Sequence, residues 1–151
     1  MTIGLRFEEL EIGVKRKSLG RTVTETDVVN FIGLSNMYEP LFADIEYIQN
    51  ESLFGRRIAP GALTYSLAEG LILQMGVLHG TGLAFLGAEF NTPAPVFVGD
   101  TLYVEQDVLE KRETSKPDRG VVTFREVVVN QRGEQVLVRT IKRMVLRKPA
   151  E

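Results

Sequence analysis

Side chains able to do chemistry are few in this sequence, and the scarcity narrows what it can do. It has no cysteine and a single histidine, His79, which excludes thiolate catalysis, disulfides and metal clusters built from Cys and His. Acid–base work is left to carboxylates. Glu69 stands out among them as an acid inside an otherwise apolar helical stretch. It reads either as a helix edge facing solvent or a partner subunit, or as a group kept for chemistry. Arg56 and Arg57 form a Gly-Arg-Arg turn just before that helix. Guanidinium groups bind phosphate well, although two arginines in a turn are also ordinary solvated surface. Between the arginines and Glu69 come Pro60, Gly61 and Ala62. The first amides of a helix have no intrahelical acceptor and sit at its positive end, so they can face a carbonyl oxygen. Proline and glycine also open many helices that do nothing else.

The element that carries these residues runs from Phe54 to Val77. Leu63, Leu67, Ala68, Leu71, Ile72 and Met75 recur at helical spacing, and Ala62, Tyr65 and Leu73 spread apolar surface around the rest of the circumference. A helix apolar on most sides is predicted to be buried and wrapped. Thr64, Ser66, Glu69 and Gln74 interrupt it, and it is too short to span a bilayer. The wrapping material follows. Leu83–Phe90 reads as a strand. Leu102, Val104, Gln106 and Val108 alternate along a longer one reaching Arg112, and Val121–Val129 and Gln135–Leu146 complete an antiparallel meander. Upstream, Val14–Val23 reads as a first strand weakened by Gly20. Thr24 and Asp27 then start a short helix ending near Gly33. Ser35–Asp44 reads as a non-periodic connection, with Asp44 capping another short helix through Ile48. His79 falls in a glycine-marked loop. The sum is one α+β domain over residues 1–151, an antiparallel sheet around a long central helix.

Composition sets further bounds. A net charge of -2 offers no basic surface for nucleic acid and no acidic tail. The N-terminus alternates charged and apolar residues too early for a signal peptide. The expectation is a soluble cytoplasmic protein with no membrane segment, metal or redox cofactor.

Three stretches carry a family resemblance: SNMYEPLFAD (35–44), FGRRIAPGALTYSLAEGL (54–71) and TPAPVFVGDTLYVE (92–105). In order and spacing they resemble the MaoC-like (R)-specific enoyl-CoA hydratases and dehydratases of the hotdog fold. The resemblance implies a sheet wrapped around the central helix and a homodimer. It implies a CoA or carrier-protein acyl thioester bound near the subunit interface. The reaction would be hydration of a 2-enoyl-CoA or dehydration of a 3-hydroxyacyl-CoA.

One stretch departs from the family. Its hydratases carry a pattern like Asp-x-Asn-Pro-x-His, whereas here Met37 stands at the aspartate, Glu39 at the asparagine and Phe42 at the histidine. Pro40 matches. Hydration needs a base for water, an acid for Cα and donors for the thioester oxygen. The resemblance therefore implies Gly61 as the thioester-polarising position, flanked by Pro60 and Ala62, with Glu39 standing in for the lost pair. Met37, Tyr38 and Phe42 would border the acyl chain. Two rival readings follow from the same residues. One is a catalytically inactive acyl-CoA-binding or partner subunit. The other is a hotdog thioesterase using Glu69.

Overall fold

The computed structural model describes residues 3–150. A single 3-10 turn at Phe7–Glu9 leads into β1 (Lys15–Lys17) and β2 (Arg21–Thr22). Three helices follow: α1 (Glu25–Ser35), α2 (Pro40–Ala43) and α3 (Ile45–Asn50). The central helix α4 (Gly61–Gln74) comes next. Then come β3 (Gly82–Asn91), β4 (Thr101–Glu113), β5 (Arg119–Val129) and β6 (Gln135–Leu146). The strands form one six-stranded antiparallel sheet in the order β1-β4-β5-β6-β3, with β2 also on β4. The meander β4-β5-β6 is as the alternation predicts.

The predicted strand Val14–Val23 is instead two short pieces. Ser18 causes the break: its hydroxyl accepts from the Val104 amide at 2.8 Å, and Gly20 lies where a Cβ would meet the Tyr103 ring. Helix α1 runs past Gly33 to Ser35 and ends on Asn36, whose left-handed backbone (φ 58) closes it. Its start is as expected: the Thr24 hydroxyl accepts from Asp27 N, and the Asp27 carboxylate accepts from Thr24 N. Arg21 grips Asp27 as well, so the carboxyl falls to about 2 through that hydrogen bond, against the opposing pull of burial.

Helix α4 is wrapped on one side only. Leu63, Thr64, Ala68, Leu71 and Ile72 are buried, but Ala62 and Leu73 are exposed. The all-round apolar surface read from sequence therefore divides into a face on the sheet and a face left open to solvent. The buried face packs with Val104, Val128 and Leu137 of the sheet and with Val28 and Ile32 of α1. A second cluster, around Val108, Phe124 and Ile141, is closed by Phe7 and Leu10 of the leading segment. Phe7 lies so near β5 that any Cβ on Gly120 would fall 2.4 Å from its ring. Edge strand β3 leaves Leu83, Phe85, Leu86 and Phe90 exposed, with Phe85 at 55% and Phe90 at 54%.

Candidate functional site at the start of the central helix

The chain before α4 is locked in place by a short stitch. Ala59 N donates to Val96 O at 2.8 Å, Val98 N donates to Arg57 O at 3.2 Å, and Ile58 bridges Phe97. The 92–98 loop is held in turn by Asp100, a buried carboxylate that accepts from Phe97 N at 2.9 Å. Between this loop and the helix start lies a cleft of about 300 Å³. Gly61 and Thr64 line one side, Pro93, Ala94 and Val96 the other, with Phe54 and Val136 at its ends.

Pro60 is buried with extended backbone (φ -53, ψ 144), which turns the chain into the helix. The Leu63 and Thr64 amides turn back to the Pro60 carbonyl. Those of Gly61 and Ala62 have no backbone acceptor among the described residues. Gly61 is not a glycine for backbone reasons, since its φ is not in the left-handed region and a Cβ there would meet only Thr92 Cγ2 at 3.9 Å. Its missing side chain leaves the first amides of α4 open to whatever enters the cleft. Two free amides, a helix dipole end and apolar walls can bind a carbonyl oxygen with an apolar tail.

The 37–42 segment divides by burial. Met37 and Phe42 are half-buried against the large core cluster that α4 shares with α1 and the sheet, and neither is among the residues lining the cleft. Tyr38 is 66% exposed. Residues 40–43 form the one-turn helix α2 where the sequence suggested a plain connection, and Glu39 is its cap. The Glu39 carboxylate is exposed and accepts from Leu41 N at 3.0 Å. Asp44 is a cap too, accepting from Tyr47 N at 3.1 Å. His79 closes the other end of α4, its Nε2 within 2.8 Å of the Leu73 carbonyl oxygen. Arg56 lies over the Phe97 ring at 3.8 Å, beside Phe54 of the cleft, while Arg57 is largely buried with its Nε 3.3 Å from Glu25.

Glu69 lies elsewhere. Eight residues along a helix is about 12 Å of rise, so it stands far from the Gly61 amide. Arg139 Nη2 and Arg143 Nη2 each donate to its Oε1 at 2.6 Å. Burial works to raise its carboxyl, but the Arg143 hydrogen bond and the charges of Arg139 and Arg143 outweigh it and hold it below the ordinary value. Arg139 is buried and pairs on its other side with Glu126, which accepts from Gln106 Nε2 at 2.8 Å.

A model of the MaoC-like domain matches residues 8–130. The chain belongs to the MaoC-like domain family. It is 32% identical over 126 residues to an (R)-specific enoyl-CoA hydratase of Aeromonas caviae, covering 83% of this chain and 88% of that one. A solved monoamine oxidase regulatory protein of Archaeoglobus fulgidus superposes with a TM-score of 0.90 at 36% identity over 98% of both chains. A Mycobacterium tuberculosis protein described as having a double hotdog fold superposes with a TM-score of 0.80 at 20% identity, over 98% of this chain and 46% of that one. The fold is the hotdog fold.

Sequence reasoning missed the polar centre of this MaoC-like domain. Gln106 lay inside the apolar alternation of β4, and Glu126, Arg139 and Arg143 were not singled out. A signal was present. On β5, Val122, Phe124 and Val128 share a face, and Glu126 interrupts them; on β6, Arg139 and Arg143 interrupt Leu137, Ile141 and Val145 in the same way. Opposite charges on the buried faces of adjoining strands forecast a pair. Among the described residues no group of acidic, His or Cys side chains could hold a metal, and no helix is long and apolar enough to cross a membrane.

Proposed function

We propose that this MaoC-like protein takes an acyl or enoyl thioester into the cleft beside Gly61 and interconverts 2-enoyl and 3-hydroxyacyl thioesters. The open amide of Gly61, which lines an apolar cleft, with that of Ala62 next to it, carries the reading. Enoyl hydration builds negative charge on the thioester oxygen, and preorganised backbone donors stabilise that charge without reorganising. Met37 and Phe42 border the acyl chain, Pro60 sets the direction of the amides, and Glu39 is the remaining acid–base group of the 37–42 segment. The Aeromonas relative's name supports CoA as the thioester carrier. Arg56, stacked on Phe97 at the cleft's edge, is placed to meet its phosphates. The exposed apolar edge of β3 supports a homodimer joined there, because an unpaired edge strand needs cover.

One observation favours a second reading, thioester binding without lyase chemistry. The Glu39 carboxylate is exposed and already caps α2, while Met37 and Phe42 carry no titratable proton. Hydrolysis through Glu69 has the least support, since its carboxylate is held by two arginines away from the cleft.

The deciding experiment follows the conjugated-thioester absorbance of crotonyl-CoA and a longer enoyl-CoA with wild type and Glu39→Gln. Loss of the band with wild type alone assigns Glu39 as the base. Loss with both keeps the reaction and removes Glu39 from it. No loss with either, while both ligands raise the melting temperature, establishes the binding reading. No loss and no stabilisation sinks the thioester assignment itself.

A further inference from the structure

A second groove lies at the opposite end of α4. Four cross-strand neighbours run in register across the inner face of the sheet: Arg16 on β1, Gln106 on β4, Glu126 on β5 and Arg139 on β6. Arg143, further along β6, and Glu69, from α4, complete the ionised set. Three cations therefore face two carboxylates inside the protein, an imbalance of one positive charge. Arg139 and Arg143 are both paired with Glu69 and Glu126. Arg16 is the cation left over: among the described residues it has no ion pair, and its Nη1 is buried without a hydrogen-bond partner. Its neighbour Gln106 is an amide and cannot neutralise it.

Arg16 opens on a groove of about 440 Å³ lined by Lys17, Leu19, Leu71, Met75 and Val77, with the Gln74 amide at its side. A groove of that size, mostly apolar with a few convergent polar groups, is the usual form of a small-molecule site. Arg16 is half-buried, and leaving its sealed Nη1 without an acceptor is costly; a carboxylate would form two parallel hydrogen bonds with the guanidinium. The last turn of α4 attracts positive charge through its dipole, which helps to place Arg16, but it supplies no acceptor to Nη1. The groove is also separate from the thioester cleft. Gly61 and Met75 are fourteen residues apart, about 21 Å along a helix, and β1 lies at the opposite sheet edge from β3. A dimer joined through β3 leaves it open.

We propose that this groove binds a monoanionic amphiphile, a carboxylate on a medium-length alkyl chain, with the carboxylate on Arg16 and the chain along Leu71, Met75 and Val77. Octanoate is the probe, followed by calorimetry and by NMR of methyl-labelled methionines. Met75 lines the groove and Met37, on the 37–42 segment, does not, so one spectrum carries both a reporter and an internal control. The expected result is a saturable shift of the Met75 methyl with Met37 unmoved, at least tenfold weaker binding by Arg16→Gln, and at least tenfold weaker binding of 1-octanol to wild type. Arg16→Lys, which keeps the charge and loses the planar fork, should fall between. A shift confined to Met37, or octanol binding as tightly as octanoate, overturns the proposal. So does wild-type affinity in Arg16→Gln. Should that variant fail to fold, the octanol comparison on wild type decides alone. None of these outcomes depends on whether the protein hydrates enoyl thioesters.

Discussion

The two places where helix α4 meets polar chemistry differ in how complete they are. At mid-helix, Glu69, Arg139, Glu126 and Arg143 form a buried set in which each charge touches an opposite one. At the helix start, Gly61 lines an apolar cleft, and the Gly61 and Ala62 amides have no backbone acceptor among the described residues. The most strongly perturbed side chain of the helix is thus a structural one. Its carboxyl is lowered because folding has already supplied its partners. The place that can act on a ligand is the one whose hydrogen-bonding capacity folding has left unused. A shifted carboxylate marks a functional site only when its perturbing groups are not also its permanent neighbours.

That contrast can be broken from either side. Glu126→Ala should have the largest effect, a loss of about 3–5 kcal/mol in urea unfolding, because it leaves Arg139 buried without its strand partner. An uncharged double variant, Glu126→Leu with Arg139→Leu, should recover most of that loss if the pair is structural. Gly61→Pro acts at the other place. Proline fits the first helical position, and the extended backbone of Pro60 accepts a following proline, so stability should move by less than about 1 kcal/mol. The amide is gone, however, and steady-state kcat/KM on crotonyl-CoA should fall about a hundredfold, the usual cost of one lost oxyanion donor.

Glu69→Gln should cost about 2 kcal/mol at neutral pH and leave thioester binding unchanged. Its pH dependence has a definite sign. The folded carboxyl is held below its ordinary value of 4.5, so its stabilisation is complete above that value and is lost as pH falls through the lower folded one. Wild type and variant should converge in acid, which a pH series of thermal melts would show. A gap that widened in acid would contradict the assignment. Thr24→Ala, removing a helix cap remote from both places, should cost about 1 kcal/mol and no more.

Much of this was legible in the sequence because it repeats. Alternation along Leu102–Arg112 and its successors gave the meander, and helical spacing gave α4. The Thr24–Asp27 box gave α1 its first residue. What was not legible depends on single contacts. Nothing periodic marks the one-turn helix α2, so the sequence offered Glu39 as a stand-in acid–base group without showing that it caps a helix. The break in the first strand comes from Ser18 accepting a hydrogen bond from Val104, a contact 86 residues apart. The open face of α4 was hidden for a different reason. Its apolar residues Ala62 and Leu73 look buried by composition, yet both are exposed in the fold. Of the residues the resemblance to MaoC-like proteins singled out, Gly61 lines the cleft, whereas Met37 and Phe42 pack against the large core cluster outside its lining. The proposed function rests on the thioester oxygen lying at the Gly61 and Ala62 amides.

Isotope-edited infrared spectroscopy of bound butyryl-CoA, labelled with carbon-13 at the thioester carbonyl, tests it most directly. A saturated thioester does not turn over, so active and inactive proteins give the same readout. The expected carbonyl stretch lies at lower frequency on wild type than in water and returns toward the free value in Gly61→Pro. A carbonyl unshifted on wild type, or equally shifted in both proteins, would contradict it.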